Sequence, residues 1–188
     1  HGQLPIFEVV NANRVLADAG LLETADEDGR TRVSPDTPMV AVTSGAAIHL
    51  YLNLEGREPG GVVPRTEVHE YLQRAARAFA DLEAEGRVAV EKIVTRDEAA
   101  VLGLNHQNSG DLVVFLAPGF AASATLEGPL LEPSRYYGQH GFLAAHDEMC
   151  GMLFARGAGL KRKRLGEVPA TSVAPMVAQW LGFDLAQR

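Results

Sequence analysis

Segments with helical periodicity alternate along this chain with short apolar runs bounded by glycine or proline. The clearest helix spans residues 67–85, where apolar side chains recur on one face and the pattern ends at Gly86. The clearest strand spans residues 111–117, an apolar run between Gly110 and Pro118. Because strands that alternate with helices usually build a sheet covered by helices, the sequence predicts an α/β fold.

Local signals predict further elements in the N-terminal and middle parts of the chain. The first helix should end at Gly20, and an apolar strand pattern over residues 39–53 is interrupted near Gly45. Thr95 and Glu98 have the spacing of a capping box, which predicts the start of a short helix.

The C-terminal part is predicted to contain a strand over residues 148–155 and a helix over residues 172–181. We expect the strand to lie in a central sheet, with the helix packed against it. Met149, Leu153 and Trp180 should then be buried.

The composition is that of an ordinary globular domain, with 46% apolar and 22% charged residues. A net charge of −7 argues against a basic nucleic-acid-binding face, and the basic run at residues 161–164 is interpreted as a solvated turn. The single cysteine, Cys150, excludes an internal disulfide framework and any multi-cysteine zinc site. Its place in the predicted strand favours burial as a small apolar residue.

No membrane span or targeting segment is visible. No apolar stretch approaches the roughly 18 residues that a spanning helix needs. No signal peptide is visible; the compartment stays open, with a cytoplasmic location slightly favoured. The chain begins with His1-Gly2 and not with methionine, so we expect its natural N-terminus to lie upstream.

One histidine, His140, stands in the turn sequence G-Q-H-G-F, just before the predicted final strand. A histidine between glycines can be held rigidly while an ion approaches closely, as a metal ligand requires. A turn histidine with a polar neighbour would give the same local pattern, so these residues alone leave both interpretations open.

Three features follow one another here: the His140 turn, the pair Glu148-Met149 before a glycine-rich stretch, and a closing helix that ends in Leu181-Gly182. This order resembles the C-terminal end of the type I phosphodiesterase/nucleotide pyrophosphatase family, in the alkaline phosphatase superfamily. Its members carry a G-x-H-G-[FY] turn, an E-M strand with a glycine-rich loop, and a helix ending in L-G. The resemblance implies that His140 is a ligand of one of two catalytic divalent ions, usually zinc.

The middle of the chain resembles the same family. Its inserted α+β section corresponds to residues 36–128, with "TRDEA" at residues 95–99 and "GDLVV" at residues 110–114. The resemblance implies that residues 1–35 and 129–188 are the C-terminal part of an alkaline-phosphatase-like core sheet, and that residues 36–128 are an inserted subdomain.

The start of the chain resembles the family's D-H-G tripeptide, whose aspartate and histidine bind the second ion. His1-Gly2 matches its last two residues, and the first helix ends in the expected G-L-L at residues 20–22. His1 is therefore implied as a ligand of the second ion. Two departures stand against this: the tripeptide's aspartate is absent, and Gln3 replaces the usual methionine. A chance match or cloning remnant is the alternative.

Two divalent ions about 4 Å apart can clamp the attacking and leaving oxygens of a phosphodiester. Histidine and carboxylate ligands suit zinc or manganese, and imidazole favours zinc. His1 and His140 should then lie on the same side of the sheet, within the span of such a site. The family's nucleophile and remaining ligands lie upstream of D-H-G, so we expect a fragment without them. Thr43-Ser44 offers hydroxyl groups, but a break between strand and turn is the favoured interpretation.

The remaining histidines have weaker interpretations. His146-Asp147 either provides an additional ligand or a carboxylate that orients one, or is a plain turn. His49 should be exposed or half-buried in a strand, and His69 should face solvent on a helix. The polar loop at residues 105–108 either lines a site or is only surface.

The sequence thus predicts a metal-dependent hydrolase of phosphodiester or nucleotide pyrophosphate bonds, acting on a small-molecule substrate. One alternative is another superfamily hydrolase: a phosphonate hydrolase, phosphomonoesterase or sulfatase. The other is a non-catalytic binding module, for which the sequence upstream of His1 would encode no threonine or serine nucleophile.

Overall fold

The computed structural model describes residues 1–157 and 159–185. These residues form a mixed α/β fold in which strands outnumber helices, which confirms the predicted class. The chain divides into two units, His1–Gly151 and Met152–Arg188. The finer expectation, an alkaline-phosphatase-like core with an insert at residues 36–128, stays a prediction.

The strands, in chain order, are β1 (Leu4–Asn11), β2 (Thr24–Glu27), β3 (Arg30–Val33), β4 (Met39–Ser44), β5 (Ala47–Leu52), β6 (Glu83–Ala84), β7 (Arg87–Val88), β8 (Val90–Thr95), β9 (Leu112–Leu116), β10 (Gly119–Ser123), β11 (Leu131–Pro133) and β12 (Gly138–Gln139). The α-helices are α1 (Ala12–Asp18), α2 (Val68–Ala80) and α3 (Val173–Leu181). Turns of 3-10 helix lie at Glu98–Leu102, Asp147–Met149 and Ala170–Ser172.

Two four-stranded sheets dominate the part of the chain that is described. In the first, β1 pairs with β10 in parallel and with β11 and β12 in antiparallel orientation. The second has the order β4-β5-β9-β8 and is antiparallel throughout. The pairs β2–β3 and β6–β7 are separate hairpins.

The central strand of the first sheet, β1, leads directly from His1 into α1. Leu4, Ile6 and Val10 are buried in this strand, whereas Phe7 is exposed to solvent. This near-alternation is that of a strand with one covered face. This strand was not among the elements predicted from the sequence.

The second sheet contains the strand that the apolar run predicted. All five residues of β9 are buried, as expected for a strand with neighbours on both edges and cover on both faces. Helix α2 buries Ala75 and Phe79 on its apolar face. Its contacts with β8 and β9 place that face against this sheet.

A buried asparagine links the end of the first sheet to the second. The amide of Ala41 in β4 donates to Oδ1 of Asn13 at 2.9 Å, and Nδ2 of Asn13 donates to the carbonyl of Ala124 at 2.8 Å. Because buried polar groups are costly unless bonded, this pairing fixes α1 relative to β4 and to the segment after β10.

The predicted capping box forms. The amide and hydroxyl of Thr95 donate to the Glu98 carboxylate at 2.8 and 2.9 Å, and the amide of Glu98 donates back to the Thr95 hydroxyl at 3.3 Å. The turn that follows ends at Gly103, with a φ of 71°. The hydrogen bonds that Thr95 donates lower the pKa of Glu98; the bond from its backbone amide has the larger effect and the bond from its hydroxyl the smaller one.

The predicted strand over residues 148–155 is wrong. The chain forms a 3-10 turn at Asp147–Met149 and then irregular backbone, with Met152 and Phe154 each 88% exposed and Leu153 39% exposed. An apolar run becomes a strand only beside a partner edge, and no described strand pairs with this segment. Ala158 of the glycine-rich stretch lies outside the described residues.

Helix α3 forms where it was predicted and ends at Gly182, with a φ of 77°. Its predicted burial is wrong, since Trp180 is 36% and Leu181 69% exposed, and the small Ala178 is its buried residue. A hydrophobic pattern identifies a face that can be covered, but it does not identify the surface that covers it.

Candidate metal site

The rings of His1 and His140 lie side by side, with centroids 5.1 Å apart and planes inclined by 44°. His1 is exposed and His140 is half-buried. Metal–nitrogen bonds are about 2 Å long and paired catalytic ions about 4 Å apart. The observed separation of the two ring centroids falls within the span of two neighbouring ions.

The backbone next to His1 is tied to the turn at Asp147–Met149. The amide of Gly2 donates to the carbonyl of Met149 at 3.1 Å. A Cβ atom on Gly2 would overlap the carbonyl of Glu148, so only glycine fits this approach. Nδ1 of His1 donates to the carbonyl of Gly2 at 3.0 Å, which leaves its Nε2 free for a ligand bond.

His140 follows β12, which is held to β1 by pairing of Gln139 with Leu4. Its amide donates to Oε1 of Gln139 at 3.1 Å, and its carbonyl accepts from the amide of Ala46 at 2.8 Å. The ring of a ligand histidine is usually oriented by a hydrogen bond to a carbonyl or carboxylate. Among the described residues no such bond to the His140 ring is found, so the position of this residue is fixed through its backbone.

The donor set is chemically suited to zinc but small. Two imidazoles suit Zn²⁺, which takes about four ligands in proteins. Within residues 1–157 and 159–185, no group of three or more His, Cys, Asp or Glu side chains could hold a metal ion. His1 and His140 together therefore offer two of those ligands.

His146 does not join the pair. Its Nε2 lies 2.8 Å from Oε2 of Glu91 in β8, and its ring meets the edge of buried Phe142 at 6.4 Å. Of the two interpretations of His146-Asp147, the structure agrees with the turn, which fastens the segment after His140 to the second sheet.

The other histidines also lie apart from the His1–His140 pair. His49 in β5 is half-buried, and its Nδ1 accepts a hydrogen bond from the amide of Gly110 at 3.1 Å. Burial lowers its pKa. His69 is exposed on α2, as predicted, beside Gln73. His106 lies in an exposed loop.

A second polar cluster surrounds Asp111, which was predicted only as part of a strand. Its carboxylate contacts Arg57 at 2.6 Å and Arg96 at 3.0 Å, beside an open cavity of about 540 Å³ that Tyr51 and Asn108 help to line. The hydrogen bond to Asp111 raises the pKa of Arg57. Arg57 and Arg96 both form ion pairs with Asp111, and Arg57 also pairs with Glu58. The two positive and two negative charges balance, and the cluster joins structural elements.

No family model, curated protein or solved structure matches this chain. Among the described residues, no helix has both the length and the apolar character that crossing a membrane requires.

The contact between Ala46 and His140 was missed. The turn between β4 and β5 was predicted from the break near Gly45, and Thr43 pairs within the β4–β5 ladder as the strand interpretation required. Nothing in the order of the residues indicated that this turn would touch the His140 segment. A glycine at each of two distant turns, Gly45 and Gly141, was the only available signal.

Proposed function

We propose that this chain is part of a metal-dependent hydrolase of phosphodiester or nucleotide pyrophosphate bonds, with His140 and His1 as ligands of two divalent ions, zinc being favoured. The observation that supports the proposal is the 5.1 Å separation of these two rings. His1 and His140 belong to two motifs that are far apart in the sequence.

The residues of this chain have a limited share in the proposed chemistry. Bound ions would neutralise phosphoryl oxygens and hold the attacking and leaving oxygens. His1 and His140 would hold the ions, with the Nδ1 bond of His1 presenting Nε2 outward. The nucleophile and carboxylate ligands are proposed to belong to sequence upstream of His1, and the substrate to be a small phosphodiester or nucleotide.

Another hydrolase of the alkaline phosphatase superfamily would use the same two histidines, and specificity would come from residues outside this chain. A non-catalytic binding module is the second candidate. The two-donor set among the described residues favours it, because two imidazoles can retain a cation without completing a catalytic site.

Zinc titration of the purified chain against a chromophoric chelator tests the proposed ligands. His140→Ala should weaken binding of one ion at least about tenfold, because it removes the side chain that this chain is proposed to supply to that ion. His106→Ala, which removes an exposed histidine elsewhere, is the matched control and should bind like the wild type. Equal affinities for all three proteins would refute the His140 assignment.

Restoring the missing residue tests the family resemblance directly. One aspartate added before His1 should raise zinc affinity, since it recreates the D-H-G donor pair, whereas one added asparagine should not. The asparagine extension also removes the terminal ammonium group from His1, so it controls for chelation by that amine. Equal effects of the two extensions would contradict the match to D-H-G.

A further inference from the structure

The turn between β4 and β5 lies against the peptide that carries His140. The amide of Ala46 donates to the His140 carbonyl at 2.8 Å. A Cβ atom on Gly45 would overlap that carbonyl, and a Cβ atom on Gly141 would overlap the carbonyl of Ser44. Two backbones therefore meet with no room for a side chain on either glycine.

Both glycines also have left-handed backbone conformations, with φ values of 65° at Gly45 and 88° at Gly141. Residues with a Cβ atom are disfavoured there. Space and conformation thus impose glycine independently at each position. The approach leaves no room for a Cβ atom and fixes where the His140 peptide lies.

The turn itself is anchored and cannot easily yield. The amide of Ala122 in β10 donates to the Gly45 carbonyl at 2.8 Å, and the amide of Leu116 in β9 donates to the Ala46 carbonyl at 2.9 Å. Ala46 is fully buried. Because strands of both sheets hold the turn, pressure on the contact would displace His140 and not the turn.

We propose that the turn Ser44-Gly45-Ala46 is a positioning element that sets the place of His140 relative to His1. His1 is held by a different contact, between Gly2 and the turn at Asp147–Met149. A change at Gly45 therefore moves one ring and leaves the other. The importance of this for metal binding rests on the proposed function.

The test is Gly45→Ala, with Gly29→Ala as its control. Gly29 has a similar φ of 72°, but an added Cβ would meet nothing within 4 Å. Both variants place alanine at a similar left-handed φ, and only Gly45→Ala introduces a clash with the His140 carbonyl. Gly45→Ala should weaken zinc binding about 10- to 100-fold, the range found for groups that orient metal ligands. Gly29→Ala should bind as the wild type does, and equal losses in both would overturn the proposal.

A measurement on the wild-type chain decides the question if Gly45→Ala does not fold. If the turn strengthens zinc binding by positioning His140, bound zinc must stabilise the turn by the same free energy. Zinc should therefore slow hydrogen exchange of the Ala46 amide. The Ala89 amide, bonded to the Leu82 carbonyl at 2.8 Å, is the internal control. Zinc binding that leaves Ala46 exchange unchanged, or slows both amides equally, would overturn the positioning role.

A metal-free readout separates this proposal from the proposed function. Proton NOEs between the rings of His1 and His140 should be present in zinc-free wild type and Gly29→Ala, and lost in Gly45→Ala. If the wild type binds no zinc, the hydrolase proposal fails, and these NOEs still decide whether the turn positions His140. Their persistence in folded Gly45→Ala would overturn it.

Discussion

Arg57 holds Asp111 through two hydrogen bonds, from Nη1 to Oδ1 at 2.6 Å and from Nη2 to Oδ2 at 2.8 Å. The same carboxylate accepts the amide of Leu52 at 2.8 Å and pairs with Arg96 at 3.0 Å. With its side chain only 12% exposed, Asp111 joins the end of β5, the segment after β8 and the start of β9.

Asp111→Asn should lower the free energy of unfolding by about 2 kcal/mol, because hydrogen bonds to a charged group are lost and two guanidinium groups face each other without a carboxylate. Urea unfolding at neutral pH measures this. Asp36→Asn changes an exposed carboxylate in a loop and should stay within about 0.5 kcal/mol of the wild type. Similar losses in both variants would contradict the role given to Asp111.

The same carboxylate makes stability depend on acid. Burial raises the pKa of Asp111, but the hydrogen bonds from Arg57 and Leu52, with the charges of Arg57 and Arg96, outweigh it and hold the pKa below its usual range. Such a group stabilises the fold above its unfolded pKa of about 3.9, and this contribution is lost as pH falls through the folded pKa. In unfolding series over that acid range, wild-type stability should therefore fall more steeply than that of Asp111→Asn. Parallel curves would show that Asp111 is not coupled to folding.

His49 gives a dependence at higher pH. Burial lowers its pKa in the folded protein, and the Gly110 amide is bonded to Nδ1, which favours the neutral ring. As pH falls below about 6.5 the unfolded chain takes up a proton that folded His49 does not, so stability falls until the folded pKa is reached. NMR titration should give His49 a midpoint below the ordinary histidine value of about 6.5. A His49 midpoint at or above about 6.5 would contradict this prediction.

Local signals were sufficient where an element is defined by its own residues. Three such features are each determined by residues only a few positions apart: the apolar run of β9, the capping box at Thr95 and the break near Gly45. The strand β1 was missed because it is made by pairing with β10 and β12, which lie far along the chain. The segment at residues 148–155 failed for the opposite reason, since its apolar pattern has no partner edge among the described strands.

In the candidate site, likewise, local patterns identified the two histidines but not the contacts that bring them together. His140 stood out because two glycines surround it, and His1 because it matched one motif of a family. Their proximity depends on β12 pairing with β1 and on the turn at Gly45, and neither is encoded next to the histidines. The Arg57–Asp111 pair is likewise a contact between distant segments, and no spacing rule reveals it.

Cys150 should react readily with Ellman's reagent in the folded protein. The sequence predicted a buried cysteine within a strand, but that strand is absent and Cys150 is exposed. Labelling under native conditions should therefore reach about one thiol per chain as fast as it does in urea, since access does not require unfolding. A thiol that reacts only after denaturant is added would restore the buried interpretation.

The purified 188-residue chain should not hydrolyse bis-nitrophenyl phosphate, with or without added zinc. The described residues bring two imidazoles together and no third metal-binding side chain, and the proposed nucleophile lies upstream of His1. Wild type and His140→Ala should therefore both remain at the background rate.

In a longer protein that includes the upstream sequence, the wild type should hydrolyse the substrate. His140→Ala should lower kcat by orders of magnitude in that protein while unfolding at a similar temperature. Metal-dependent turnover by the short chain, unaffected by His140→Ala, would place the chemistry elsewhere in the molecule.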